Sequence, residues 1–220
     1  YTRPVLDSLE ITGTEETAYA GEEIDFGAAG YDQYGNPIDF DNGDNIDFII
    51  SNNKVMTSGG FAITDTNEIT MTPHGDGTVS VFVLLGGEFQ GQADITVNPE
   101  AYPLAITAVE AHEAIQEGTS FKIMASDISV IDQYGRKMSS SKVFDTLFEC
   151  GYYHFFLSGG GDSVSLSEVE EGIEYELISG TKKGTDPFTA YLEYSGCTIH
   201  GSSYKFEVSL VHDEDIVYSM

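Results

Sequence analysis

The chain has 220 residues, with 37 acidic against 9 basic side chains and a formal net charge of −28. That balance excludes a nucleic-acid binder, which needs a basic footprint to release counterions from phosphates, and it disfavours docking on an anionic membrane. Hydrophobic residues at 40% and aromatics at 12% are enough to bury real cores, which an acidic disordered chain lacks.

The first half reads as short strands separated by turn residues. Strands are predicted over 6–12, 22–31, 46–51, 68–72, 78–85 and 88–97 from alternating apolar and polar positions. Gly86-Gly87 joins the last two as a hairpin turn, since glycine enters positive-φ backbone freely. The longest apolar run, 79–85, contains Ser80 and falls far short of the roughly 18 residues a spanning helix needs, so no direct membrane insertion is expected. Residue 1 is Tyr with no basic or apolar leader after it, which reads as an excised or processed piece whose export signal would already be gone.

A linker follows. Asn98-Pro99-Glu100-Ala101-Tyr102-Pro103 carries two prolines that favour extended backbone and lack ladder donors. The domains are therefore placed at 1–98 and 99–220. In the second, strands are predicted over 104–108, 120–131, 148–157, 163–167, 174–178, 187–194 and 204–211, with a turn or two of helix over 108–115 and 139–147. Gly159-Gly160-Gly161 reads as a hairpin tip. Many short strands per ~100 residues, punctuated by Gly, Asn and Asp, define an all-β class with a sandwich in each domain.

The halves echo each other. Tyr31-Asp32-Gln33-Tyr34-Gly35-Asn36 returns 100 positions later as Ile131-Asp132-Gln133-Tyr134-Gly135-Arg136. A period this long is a domain rather than a solenoid unit. Within the motif, the Asp carboxylate is expected to accept backbone donors two residues on, and the Gly to enter left-handed space. Pro37 then forces extension. The Tyr ring is expected to cover the sandwich end with its hydroxyl in water. Asp32, Tyr34, Gly35, Asp132, Tyr134 and Gly135 are thus structural turn residues.

The segment Ala28-Ala29-Gly30-Tyr31-Asp32-Gln33-Tyr34-Gly35-Asn36-Pro37-Ile38, followed by Ile46-Asp47-Phe48, resembles the bacterial immunoglobulin-like domains of surface-layer proteins and invasin-type adhesins. Domain two keeps Asp132-Gln133-Tyr134-Gly135 but has Arg136-Lys137-Met138 in place of Asn-Pro-Ile, and its middle section is longer. The resemblance implies two tandem Greek-key immunoglobulin-like β-sandwiches, an extracellular place at the cell surface or cell wall, and no catalytic residues to carry over. The implied partners are neighbouring domains of the same surface protein, with a host or matrix protein or a glycan as further candidates.

Chemistry-bearing motifs are sparse. The five histidines are scattered, and Gln116 stands where a zincin pattern starting at His112-Glu113 needs its second His. No Gly-x-Ser-x-Gly elbow and no phosphate-cradling lysine loop occurs. Asp39, Asp41, Asp44 and Asp47 crowd one loop with Asn42 and Asn45, a density of hard oxygen ligands that suits calcium, although the spacing is not that of an EF-hand. A solvated acidic loop is the competing reading. Calcium is the only cofactor left open. Cys150 and Cys197 form no metal spacing, and they read either as two buried thiols or as one disulfide. Tyr152-Tyr153-His154-Phe155-Phe156 puts rings on both strand faces, so one face must be covered or must serve a ligand such as a sugar. The leading expectation is a non-enzymatic surface-protein segment serving as spacer or adhesion module. A carbohydrate-binding accessory module of a secreted glycoside hydrolase and a surface-layer lattice subunit are the alternatives.

Overall fold

The computed structural model describes residues 3–14, 17–64, 67–139 and 151–212. The chain divides into two compact units, Tyr1–Ala101 and Tyr102–Met220. The buried core of the first unit draws on residues 9 to 97 and that of the second on residues 106 to 210, so each unit closes on its own interior.

In the first unit the strands are β1 (Leu6–Gly13), β2 (Ala18–Tyr19), β3 (Ile24–Asp25), β4 (Gly27–Asp32), β5 (Ile46–Ile50), β6 (Phe61–Ile63), β7 (Ile69–Met71), β8 (Gly77–Leu85) and β9 (Glu88–Asn98). They pair as β2-β9-β8-β5 in one sheet, with β3-β7-β6 and β1-β4 opposite. The second unit contains β10 (Pro103–Val109), β11 (Ala114–Gln116), β12 (Ser120–Met124), β13 (Ile128–Asp132), β14 (Tyr153–Gly159), β15 (Val164–Glu170), β16 (Glu174–Ser179), β17 (Gly184–Tyr194), β18 (Cys197–Thr198) and β19 (Tyr204–Val211). Its ladders run β11-β19-β17-β14, β12-β16-β15 and β10-β13, the same order as the first unit, with β18 added beside β17. In both units the short second strand runs parallel to the last one, while every other pairing is antiparallel. Two facing sheets with this crossover order are Greek-key immunoglobulin-like sandwiches.

Side-chain alternation builds the interiors. Along β8, Val79, Val81 and Val83 are buried while Ser80, Phe82 and Leu84 are half-buried on the other face. One strand serves both ladders opposite the main sheet. Phe26 sits between β3 and β4, and its N–H donates to Ile69 O at 2.8 Å, on the β7 side. Beyond it, β4 pairs with β1 instead. The Phe26 ring meets Phe48 and Phe61 edge-on at 6.2 and 5.4 Å, and those two rings stack at 4.1 Å. In the second unit a 3-10 turn, Ala125–Asp127, makes the same break between β12 and β13, with Asp127 Oδ2 accepting the Met124 N–H at 2.8 Å.

The continuous strands expected over 22–31 and 120–131 are therefore each two strands, split where the chain changes partner. The helical turn expected over 108–115 is instead the end of β10, a loop and the start of β11. The other, over 139–147, lies outside the described residues apart from Ser139, as do positions 148–150 of a predicted strand. The short strands β2, β6, β11 and β18 had no alternation long enough to announce them. Gly159-Gly160-Gly161 is not a hairpin tip. It carries the chain from β14 in one sheet to β15 in the other. Glycine is required there because a Cβ on Gly159, at φ 122°, would lie 2.3 Å from Pro187 O.

Candidate functional site

The repeated turn is the feature both units build alike. Asp32 ends β4 and is buried, and its Oδ1 accepts the N–H groups of Tyr34 at 2.9 Å and Asn36 at 2.8 Å. Its own N–H donates to Asn36 O, and the Gly35 N–H returns to Asp32 O. Asp132 does the same for Tyr134 and Arg136, each at 2.9 Å. Gly35 and Gly135 hold φ at 79° and 78°, a conformation that an L side chain resists.

The side chain that donates to the carboxylate differs between the copies. Asn36 Nδ2 reaches Asp32 Oδ2 at 3.2 Å, whereas Arg136 grips Asp132 Oδ2 through Nε and a terminal guanidinium nitrogen, both at 2.8 Å. The same guanidinium lies over the Tyr134 ring at 5.6 Å. Tyr34 is 61% exposed, so its ring stands in solvent instead of covering the sandwich end.

Sequence reasoning left Gln33 and Gln133 without a role, and the structure supplies one. Gln33 Oε1 accepts the Val5 N–H at 3.0 Å, and its Nε2 donates to Arg3 O at 3.1 Å. Gln133 Oε1 accepts the Tyr102 N–H at 2.8 Å. Each glutamine ties the segment entering its unit to the turn, which explains why the whole Asp-Gln-Tyr-Gly string recurs. Its identity in both copies was the signal available beforehand.

The Asn36 N–H bonded to Asp32 is the main reason its carboxyl is held below the ordinary aspartate value. Burial opposes this, and the Tyr34 N–H and the Asn36 side chain reinforce it. A carboxylate lowered in the folded state stabilises the fold above its unfolded value near pH 4, and that stabilisation is lost as pH falls through the lower folded value. Asp32→Asn is expected to flatten the acid limb of first-unit unfolding, followed by thermal melts between about pH 2 and pH 6.

The aspartates of the acidic loop each have hydrogen-bond or strand positions of their own. Asp39 accepts from Asn67 Nδ2, Asp41 Oδ1 takes the Gly43 N–H at 2.6 Å, and Asp44 Oδ2 takes the Asp41 N–H at 2.9 Å. Asp47 is exposed on β5, across from Leu84. Among the described residues no group of three or more His, Cys, Asp or Glu side chains is placed to hold a metal ion. Cys197 is exposed, and Cys150 lies outside the described residues.

The aromatic run divides by strand face. Phe155 and Leu157 are buried in the core, while Phe156 stacks on Tyr191 across the ladder at 5.6 Å. The exposed Tyr152 and Tyr194 rings are tilted by 40° at 6.2 Å, so they do not share one flat face. The rise in the Tyr175 hydroxyl's pKa comes chiefly from burial, with the Glu168 carboxylate adding to it.

No family model and no curated protein matches the chain. Among solved structures it is similar to domains 4 and 5 of the S-layer protein SbsC, at 18% identity and a TM-score of 0.46, covering 94% of this chain and 98% of that one. It is similar to invasin, a bacterial integrin-binding protein, at 14% identity and a TM-score of 0.32, covering 96% of this chain and 42% of that one. Titin domains Z1 and Z2 give 12% identity and a TM-score of 0.35, over 94% of this chain and 98% of theirs. The chain spans 29% of the longer SbsC segment of domains 1–6. These likenesses lie under a TM-score of 0.5, and the immunoglobulin-like class rests on the chain's own strand order. No helix is long and apolar enough to cross a membrane among the described residues.

Proposed function

We propose that this chain is a non-catalytic pair of spacer modules in a bacterial cell-surface protein, working outside the cell by holding and displaying neighbouring domains. The observation that carries this reading is the closure of each unit by its short second strand running parallel to its last strand. Ala18 and Tyr19 of β2 align with Val97 and Asn98 of β9, and Ala114 to Gln116 of β11 align with Ser209 to Val211 of β19. Tension on the two ends of a unit loads that contact along the strand axis, so its hydrogen bonds resist together rather than one at a time. The glutamine ties at each entry hold the incoming chain in place ahead of that contact. A surplus of negative charge keeps such modules soluble and mutually repelling.

Stretching single molecules of the chain tests this. Two separate force peaks are expected, one releasing about 350 Å of chain and the other about 415 Å at ~3.5 Å per residue. The second unit, with three aligned residues against two, is expected to give way at the higher force. Extension without resolvable peaks would remove the spacer reading.

A further inference from the structure

The two units treat one sheet edge differently. β5 and β14 are the last strands of their four-strand paths, each paired on one side by the ladder, with β8 and β17 respectively. In the first unit the Gly86 N–H donates to Asn45 O, and the Ser51 N–H donates to Ser80 O. Antiparallel alternation then turns the N–H and C=O groups of residues 46, 48 and 50 away from β8. The Ser195 N–H to Tyr152 O bond sets the same alternation in β14, so Phe155 faces away from β17. Phe48 and Phe155 are equivalent: each is the phenylalanine that its edge strand turns toward the core.

In the second unit the edge is covered. The Phe155 N–H donates to Gly172 O at 3.3 Å, and Phe155 O accepts from the Tyr175 hydroxyl at 3.3 Å. Both partners come from the hairpin of β15 and β16, whose strands have 7 and 6 residues. The corresponding hairpin of the first unit has strands of 3 residues each. Among the described residues no hydrogen-bond partner stands opposite the outward groups of Phe48 and Ile50. A groove of about 340 Å³ opens there instead, lined by Phe48, Ile49, Ile50, Asn53, Met56 and Ser58, with Ile49 54% exposed. An uncovered strand edge beside an apolar groove is a template for strand addition.

We propose that the open edge of β5 takes up an extended polypeptide as an added antiparallel strand, its apolar side chains in the groove and basic residues at its C-terminal end. Charge selects this occupant. Antiparallel addition brings the C-terminal end of the guest to the start of β5, where Asp39, Asp41, Asp44 and Asp47 precede or begin the strand. A second copy carries the same net charge of −28, and repulsion between two such chains disfavours it as the occupant.

The test uses the whole chain and an end-blocked peptide, Thr-Val-Thr-Val-Thr-Lys-Lys, followed by calorimetry and by amide exchange in NMR. Binding is expected to slow exchange at the Phe48 and Ile50 amides. A guest with proline at its central Val should lose at least tenfold in affinity, because it lacks a ladder donor. Asp47→Lys should weaken binding about threefold to fivefold, the scale of one exposed ion pair. Ile50→Pro removes an outward donor and should abolish binding; if that variant fails to fold, the proline guest and Asp47→Lys carry the test. Equal binding of the proline guest, no protection at Phe48 and Ile50, or self-association of the chain through this edge would each overturn the proposal.

Discussion

Replacing Phe26 by alanine is expected to lower first-unit stability by about 3–5 kcal/mol, the usual cost of deleting a buried ring and leaving a cavity. Phe26 is 2% exposed, and its ring stands edge-on to both Phe48 and Phe61. Its backbone also sits where the strand passes from β7 to β1, so the lost ring loosens the place where two ladders meet. For a domain of ~100 residues each kcal/mol shifts the melting temperature by about 4–8 °C, which puts the expected drop above ~10 °C. Calorimetry of the intact chain should show two transitions, with only that of the first unit displaced. Equal displacement of both would mean that the two interiors unfold as one.

The second large effect is expected at Asp132. Its side chain is 2% exposed and takes two backbone N–H groups and the Arg136 guanidinium. Asp132→Ala strands those backbone donors and is expected to cost about 3 kcal/mol in second-unit stability. Arg136, at 36% side-chain exposure, can turn to water, so its own loss adds little. Asp132→Asn keeps an acceptor for the turn and should recover a good part of the difference. Denaturant unfolding of the three proteins side by side reads this out. An alanine variant as stable as the parent would mean that Gly135 and the glutamine tie hold the turn alone.

The long strands were legible because their signal is local. β8 and β9 alternate over 9 and 11 residues around Gly86-Gly87, and nothing in their neighbours is needed to see it. The repeated turn was legible because six consecutive positions nearly coincide. The splits at Phe26 and at Ala125–Asp127 were not, since they follow from a change of partner strand and not from a change in pattern. The contacts of the acidic loop were not legible either. Asp39 accepts from Asn67, Asp41 from the Gly43 N–H and Asp44 from the Asp41 N–H, partners that the spacing of four aspartates within nine positions does not announce.

Composition, alternation and the Asp-Gln-Tyr-Gly echo by themselves determined that this chain is made of strands, that it comes in two like halves, and where its shared turn lies. These properties depend on neighbours a few residues apart, which a linear string records. Only the tertiary structure decided that Gln33 and Gln133 tie down the entering chain, that β2 and β11 close their units in parallel, and that Gly172 and Tyr175 cover the edge at Phe155 while, among the described residues, no partner stands opposite Phe48. Each of these joins residues 17 or more positions apart, and such pairings follow from how sheets pack rather than from any local pattern.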